Sequence, residues 1–374
     1  MRKKRKLHKV LAFSMLCAVA SLFIVTKPSS YIATKVSSVM VNGGITAIDV
    51  TKYNQKLIVG DTYKVVPVIT PAELSTSLLT YESSDPSVAT VDAQGNVKAL
   101  KSGSVVITIK STDQSNVTAI INIDIKNYSD IKYNYNQFVA HTGLSTKEPA
   151  NSIPAYVSAG QSSGFVGIES DVRETKDGDF VLYHDDNLSA RTAKAGIVSQ
   201  LTLDELFGYT LTKGTNITAY TKDPLRLPTL TEFLYICKAY GVKPVLHIKS
   251  ITTAGRSRLL DKVREAGMME QTIITGSKTN MVEFRKLSSE INLYWLCNLS
   301  ESVVNEAVKY DLHINTDYTY VTSDRVAYAK EKGRVVGAWT VNNINTVRRL
   351  FYYGVDFVTT DNDYYNKYPD YQLK

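Results

Sequence analysis

The chain has 374 residues, 44% of them hydrophobic and 21% charged, which excludes a disordered protein and allows two or more domains. The formal net charge of +7 falls to +1 once the six lysines and arginines before Val10 are subtracted, so no nucleic-acid partner is expected. The three cysteines form neither a disulfide framework nor a metal motif, and Cys237 and Cys297 are predicted to be buried free thiols.

Residues 1–27 have the layout of an export signal or a membrane anchor. A basic run precedes the apolar stretch from Val10 to Val25, and Ala18-Val19-Ala20 offers a small-residue cleavage site. Uncleaved, the stretch falls just short of the roughly 20 residues that usually span a bilayer. A buried helix beside a basic tail is the remaining alternative. In both favoured cases the protein is exported, and is either extracellular or anchored to the outer face of the membrane.

Residues 28–43, rich in Ser, Thr and Gly, are predicted to be a linker, and residues 44–127 an all-β sandwich. Short alternating segments such as Val105–Ile109 are separated by turn signals such as Asp85-Pro86. The segment resembles the bacterial immunoglobulin-like group 2 domain on four stretches: Val59–Asp61, Ile69–Ala72, Tyr81–Asp92 and Gly95–Gly103.

No histidine or cysteine occurs between Val41 and Val139, so we expect no catalysis in this first domain. Two roles stay open for it: a spacer, or a module that binds the cell wall or carbohydrate.

After a predicted linker at 128–136, residues 137–374 alternate strands with amphipathic helices, which indicates βαβ units and a parallel sheet. A TIM barrel, an α/β fold, fits this length and alternation, although nine candidate strands exceed the eight that it needs. One strand is therefore predicted to lie outside the barrel, without an indication of which. The candidates are 138–141, 164–171, 179–184, 243–249, 272–277, 293–297, 311–316, 335–341 and 355–360. Helices are predicted at 152–162, 229–240, 254–267, 279–288, 300–309, 322–332 and 343–353.

Acidic, basic and imidazole side chains follow the apolar runs of several strands, at the strand ends where barrel enzymes hold their active sites. Because strand side chains alternate with period two, Glu169 and Asp171 share one face, as do His247 and Lys249. Two adjacent carboxylates repel each other unless a cation lies between them, and oxygen ligands suit Mg²⁺ or Ca²⁺. Two histidines and a lysine on the same wall add an acid–base pair and an anion contact. The set indicates phosphoryl chemistry, and it consists of His141, Glu169, Asp171, His184, His247 and Lys249.

From Phe138 to about Asp361 the chain resembles the glycerophosphodiester phosphodiesterase family. The matching motifs keep the family's order: His141-Thr142-Gly143, Pro149–Ser152, Glu169–Val172, Thr175–Gly178, His184-Asp185, Leu227–Leu230, His247–Lys249, Ala338–Asn342, and Gly354–Asp356 with Thr360-Asp361. The resemblance implies a TIM barrel that uses a divalent metal, usually Ca²⁺ or Mg²⁺, to hydrolyse glycerophosphodiesters to an alcohol and glycerol 3-phosphate.

The resemblance also implies a role for each site residue. His141 and His184 correspond to the acid–base pair, while Glu169 and Asp171 correspond to metal ligands with His247 at the third ligand position. The substrate contacts that it implies are Lys249 to the phosphate, Trp339 in the glycerol pocket, and Asn151.

Three positions depart from the family pattern: Thr142 replaces an arginine, and Ala150 and His247 each replace a glutamate. Threonine cannot form a bidentate phosphate contact, and an imidazole suits Zn²⁺ and other transition metals better than Ca²⁺. A catalytically degenerate barrel that binds a cell-surface ligand is therefore the second hypothesis. Cyclisation of a choline lipid is a third.

The substrates expected outside a cell are deacylated phospholipids or glycerophosphate polymers of the wall, with association at the wall or the membrane surface. His313 and Asn315, on a later strand, match no motif and are predicted to make core or loop contacts.

Overall fold

A computed structural model describes residues 44–372 together with the short strand Tyr31–Ala33. The predicted signal or anchor, residues 1–27, lies outside the described residues. Within the described part of the chain, no helix has both the length and the apolar character needed to cross a membrane. Cys237 and Cys297 are free thiols as predicted, although Cys297 is only half-buried.

The first domain is built from short strands in three small sheets, with the orders β1-β2-β5, β3-β10-β9-β6 and β4-β8-β7, and the pairs are antiparallel except that β3 runs parallel to β10. In β9 every second residue, including Val105, Ile107 and Ile109, faces the core, which is the pattern of a half-exposed strand. The ten strands are β1 Tyr31–Ala33, β2 Ala47–Thr51, β3 Gln55–Ile58, β4 Thr62–Lys64, β5 Val68–Thr70, β6 Leu79–Ser83, β7 Ala89–Val91, β8 Asn96–Ala99, β9 Gly103–Ser111 and β10 Thr118–Lys126. The predicted all-β immunoglobulin-like domain is confirmed, and part of the predicted linker forms β1.

The second domain is a closed barrel of eight parallel strands, because the first, β11, pairs with both β12 and β19. The predicted TIM barrel is thereby confirmed. The strands are β11 Phe138–Ala140, β12 Gly167–Glu174, β13 Phe180–Leu182, β14 Lys243–Ser250, β15 Ile273–Gly276, β16 Asn292–Cys297, β17 His313–Asp317, β18 Val336–Trp339 and β19 Phe357–Thr360.

The ninth candidate strand is β13, which pairs antiparallel with the end of β12 and lies outside the barrel. Its side chains are still fully buried, because they face the barrel helices on one side and a second small core on the other. That core is formed with residues from the long segment 185–228, including Leu188, Leu206 and Leu227. A buried hairpin strand and a buried barrel strand carry the same apolar signal, so the sequence could not distinguish them.

In the described part of the barrel domain, all seven predicted helices are present, with two further single-turn helices, α2 and α9. Thr229 and Glu232 form the predicted capping box of α3, and Gly241 ends that helix with a φ of 66°, a left-handed conformation that favours glycine. The helices are α1 Ile153–Gln161, α2 Leu203–Leu206, α3 Leu230–Tyr240, α4 Thr253–Glu265, α5 Lys278–Leu287, α6 Glu301–Lys309, α7 Ser323–Glu331, α8 Ile344–Tyr353 and α9 Tyr364–Lys367.

The sandwich contacts the barrel along α8 through specific polar bonds. Arg349 lies 2.8 Å from a carboxylate oxygen of Asp61 and 2.8 Å from the hydroxyl of Tyr128. The hydroxyl of Tyr352 donates to Asp124 at 2.7 Å, and its ring packs in a small apolar cluster with Ile58. These contacts hold the two domains against each other.

Candidate active site

The barrel interior changes from apolar to polar along its axis, and this change creates the site. Near the amino ends of the strands, Val139, Val245, Ile273, Tyr294 and Phe357 form an apolar cluster. Because inward side chains recur every second residue, the next inward positions on the same strands are two residues further along. Those positions line a cavity of about 440 Å³, and they are His141, His247, Thr275, Leu296 and Thr359.

The six acidic, basic and imidazole residues that the sequence predicted at strand ends all line this cavity, together with Trp339. Side chains from strands that are distant in the sequence therefore converge as the barrel predicted.

Glu169, Asp171 and His247 form the cluster at the centre of the cavity wall. His247 Nδ1 lies 3.1 Å from Asp171 Oδ1 and 3.7 Å from Glu169 Oε1, and both carboxylates are at least 95% buried. Burial and the charge of Asp171 raise the pKa of Glu169 to about 7. Burial acts in the same direction on Asp171, but the hydrogen bond and charge of His247 and the amide of Asn151 outweigh it and lower the Asp171 pKa.

The cluster meets the requirements of a divalent-metal site. One ligand atom from each residue can be chosen so that all three lie within 4.8 Å of one another. Two facing buried carboxylates need a positive partner, and an imidazole nitrogen completes a set of one nitrogen and two oxygen ligands. The residues present therefore fit a metal ion, and the nitrogen ligand makes transition metals suitable as well as Ca²⁺ or Mg²⁺.

His141 is held by Asp361, a residue that the sequence analysis did not single out for the site. The His141 Nδ1 atom lies 2.8 Å from Asp361 Oδ1, which also accepts a hydrogen bond from Ser145 at 2.8 Å. Burial lowers the pKa of His141, but the bond to Asp361 and the nearby carboxylates raise it overall, to about 9. Because Nδ1 is engaged, Nε2 is the ring nitrogen left for a substrate.

His184 lines the same cavity, and each of its ring nitrogens lies beside a charged side chain. Its Nδ1 atom is 3.1 Å from Asp185 Oδ1, and its Nε2 atom is 3.2 Å from Lys249 Nζ. The backbone carbonyl of His184 accepts a hydrogen bond from the buried side chain of Arg173, at 3.1 Å from Nε. Lys249 Nζ is also 3.9 Å from Asp171 Oδ1, so the lysine connects the second histidine to the carboxylate cluster.

Asn151 does not line the cavity, in contrast to the substrate contact that the resemblance implied for it. It is buried behind the carboxylates, donating from Nδ2 to Asp171 Oδ2 at 2.9 Å and accepting from Ser170 at 2.7 Å. Its place is that of a positioning residue for Asp171, since a fixed carboxylate is a better ligand than a mobile one.

Two of the three departures from the family pattern lie outside the cavity wall. Thr142 is buried with a φ of 55°, a left-handed conformation that is uncommon for a β-branched residue. Its backbone N–H donates to Glu169 Oε2 at 3.0 Å, while its hydroxyl donates to the carbonyl of His141. The backbone at Thr142 therefore orients a carboxylate, and its side chain offers no contact to a phosphate. His247 is the only one of the three that joins the cluster.

The comparisons with known proteins agree with this geometry. The model of the Glycerophosphoryl diester phosphodiesterase family matches residues 141–363, and that of the Bacterial Ig-like domain (group 2) matches residues 45–121. A glycerophosphodiester phosphodiesterase of Caldanaerobacter subterraneus is 28% identical over 231 residues, covering 60% of this chain and 93% of the relative. One of Bacillus subtilis is also 28% identical, over 255 residues, covering 62% and 83%.

Solved structures show the same barrel. A phosphodiesterase of Oleispira antarctica, in complex with the product sn-glycerol-3-phosphate, superimposes with a TM-score of 0.56 at 23% identity over 63% of this chain and 94% of its own. A glycerophosphoryl diester phosphodiesterase structure from Silicibacter pomeroyi gives 0.54 at 22% identity, covering 60% and 90%. With the family model spanning more than half of its length, the chain belongs to the glycerophosphoryl diester phosphodiesterase family.

Proposed function

We propose that the protein is an exported, metal-dependent phosphodiesterase that hydrolyses glycerophosphodiesters to an alcohol and glycerol 3-phosphate. One observation carries the proposal: two imidazoles, each fixed by its own carboxylate, face one cavity that also holds a pair of buried carboxylates. His141 is oriented by Asp361 and His184 by Asp185. A structural core would not place Glu169 and Asp171 side by side without a positive partner, because both are buried and a buried charge is costly.

The chemistry divides among the residues as follows. A divalent cation bound by Glu169, Asp171 and His247 would polarise the phosphate oxygens. Lys249 supplies a positive charge for the phosphate beside His184. One imidazole accepts the proton of the attacking hydroxyl group or water, and the other protonates the leaving alcohol oxygen. Asp361 and Asp185 keep the ring nitrogens in place during both transfers.

The ligand set bears on which classes of metal the site accepts. Family resemblance favours Ca²⁺ or Mg²⁺, which prefer oxygen ligands, whereas the nitrogen of His247 favours Zn²⁺ or another transition metal. We propose that the site accepts both classes and binds transition metals more tightly.

The substrate class is a glycerophosphodiester outside the cell, either a deacylated phospholipid or a glycerophosphate polymer of the wall. Support for export comes from the basic and apolar segment that precedes the domains. The Oleispira antarctica phosphodiesterase binds sn-glycerol-3-phosphate as its product, which supports the same product for this chain. The immunoglobulin-like domain fits association with the wall or the membrane surface.

A barrel that binds without turnover is the second candidate, and Thr142 is the observation that favours it. The family's arginine is absent there, and the threonine hydroxyl donates to the carbonyl of His141, so this position supplies no cation to a phosphate. Such a protein would hold a glycerophosphate ligand through Lys249 and the cluster.

Phosphorus NMR of glycerophosphocholine incubated with the full chain and Ca²⁺, Mg²⁺, Mn²⁺ or Zn²⁺ tests the proposal. Glycerol 3-phosphate should appear with wild type and fall by at least about 100-fold in His141→Ala and His184→Ala. His313→Ala is the matched control, since His313 begins β17 at the opposite end of the barrel and should keep wild-type activity. A cyclic phosphate product would show that the protein cyclises its substrate instead of hydrolysing it. No turnover with any metal would favour a barrel that binds its ligand without catalysis.

A further inference from the structure

The second histidine of the site lies in a turn without regular secondary structure. His184 follows β13, which ends at Leu182, and the described chain begins no further helix before Leu188. The His184 side chain is 46% exposed, so packing alone does not fix it. A displacement of about 1 Å can cost about 100-fold in rate, so a catalytic imidazole in such a turn needs another constraint.

Arg173 supplies that constraint from the neighbouring strand. Its Nε atom donates to the carbonyl of Tyr183 at 3.2 Å and to the carbonyl of His184 at 3.1 Å. Its Nη2 atom donates to the same His184 carbonyl at 2.6 Å, and its Nη1 atom donates to the carboxylate of Asp186. Among the described residues no backbone N–H group donates to either carbonyl, so the guanidinium is what holds this peptide.

Arg173 belongs to the strand that carries both carboxylates of the cluster. Because the side chains of β12 alternate with period two, Glu169, Asp171 and Arg173 are successive positions on one face. At about 3.3 Å per residue, the arginine lies about 7 Å further along the strand than Asp171. Arg173 is 5% exposed and does not line the cavity, because its side chain turns to the backbone of the His184 turn. One strand therefore sets the positions of both carboxylates and, through Arg173, of the histidine.

An arginine suits this position better than any other cation. A buried guanidinium must find acceptors, and here each of its three nitrogens has one. Its planar fork presents the donors in fixed directions, whereas the ammonium of a lysine is a single point of charge. The backbone and the ring of His184 are thus held by different groups, since Asp185 contacts the ring Nδ1 atom at 3.1 Å.

We propose that Arg173 is a positioning residue for catalysis, which holds His184 at a fixed distance from the metal ligands Glu169 and Asp171. Its loss lets the turn move, so the imidazole reaches the reacting oxygen less often. The phosphate and metal contacts remain, because none of them involves Arg173. The effect therefore falls on kcat and leaves KM nearly unchanged. This assignment rests on the proposed function.

Steady-state hydrolysis of glycerophosphocholine by the full chain tests the assignment, with the cation that gives wild type its highest rate. Arg173→Ala should lower kcat by about 100-fold and keep KM within about twofold. Guanidinium chloride at about 50 mM should raise the kcat of this variant at least about tenfold, because the free ion can donate to the same carbonyls. Sodium chloride at the same concentration should not.

Two further variants keep the test decisive. Arg173→Lys retains the positive charge without the fork and should lower kcat by about tenfold, and it decides the question by itself if Arg173→Ala does not fold. Arg258→Ala is the matched control, because Arg258 donates to the carbonyl of Gly178 at 3.0 Å and to the carboxylate of Glu174, at the other end of the same hairpin. Its kcat should stay within about twofold of wild type.

The imidazole ¹H–¹⁵N spectrum of the metal-free chain, which has five histidines, gives a readout that does not depend on turnover. Comparison with His184→Gln assigns the His184 signal. Arg173→Ala should shift and broaden this signal, because the turn then exchanges between positions, and guanidinium should restore it. Arg258→Ala should leave it in place.

The inference is overturned if the Arg173 variants keep the wild-type kcat, if only KM changes, or if the His184 signal stays as in wild type. A wild-type chain that hydrolyses nothing would instead refute the phosphodiesterase proposal, and the His184 signal would then decide the inference alone.

Discussion

Replacing Glu169 by glutamine is expected to stabilise the metal-free protein at pH 8 and to abolish its stabilisation by divalent cations. Burial and the charge of Asp171 raise the Glu169 pKa from 4.5 to about 7. A raised carboxyl pKa means that the folded state resists ionisation, so wild type loses stability as the pH rises from about 4.5 through 7. At about 1.36 kcal/mol per pKa unit, the loss in the free energy of unfolding reaches at most about 3 kcal/mol.

Urea unfolding of the full chain in EDTA at pH 5 and pH 8, repeated with Ca²⁺, Mn²⁺ or Zn²⁺, measures both effects. The two proteins should be nearly equal at pH 5, and the variant should be more stable by about 1–3 kcal/mol at pH 8. A cation at 100 times its Kd should then stabilise wild type alone, by about 2.7 kcal/mol.

A matched control is Glu174→Gln on the same strand. Glu174 is also buried, but its carboxylate accepts hydrogen bonds from Thr252 and Arg258, so its loss should destabilise the protein and leave the cation response intact. The reasoning is refuted if Glu169→Gln is less stable than wild type in EDTA at pH 8, or if both proteins respond equally to every cation.

Three other changes test separate contacts. Asp361→Asn should cost about 1 kcal/mol at pH 6. Because the folded state raises the His141 pKa to about 9, the protonated histidine stabilises the fold below its unfolded-state pKa, and this contribution is lost as the pH rises through the folded-state pKa. The cost of Asp361→Asn should therefore vanish above pH 9. Thermal melts of the metal-free protein across this pH range measure it. His247→Glu should shift metal preference from Zn²⁺ toward Ca²⁺ in calorimetric titrations, and an unchanged preference would remove the nitrogen ligand from the account. Arg349→Ala should lower stability by about 1 kcal/mol and speed proteolysis between the domains, unlike Arg264→Ala at an exposed pair.

Much of the site was predictable because parallel strands present their carboxyl ends at one face of a barrel. Because strand side chains alternate with period two, the sequence predicted that Glu169 shares a face with Asp171, and His247 with Lys249. In the structure both pairs lie on the cavity wall. The boundary of β12 was less predictable. It continues to Glu174 because it pairs with β13 as well as with β14, and a hairpin partner leaves no mark on the strand's own apolar pattern.

One residue that the sequence reasoning missed is Asp361, whose contact with the site depends on barrel closure. Asp361 follows the last strand, 220 positions after His141, and it reaches that histidine only because β19 pairs with β11. The final strand of any closed barrel lies beside the first, and that rule could have found it. Asn315 was predicted to make core or loop contacts. Its side-chain carbonyl is buried without a hydrogen-bond partner in the described chain, which is a property of packing that no sequence pattern reports.

Anomalous diffraction from crystals of the full chain soaked in Mn²⁺ would examine the cation directly. The account predicts one peak at about 2.0–2.6 Å from an oxygen of Glu169 and an oxygen of Asp171, with the rings of His141 and His184 on either side of the adjoining space. No peak at millimolar Mn²⁺, or a peak away from both carboxylates, would contradict it.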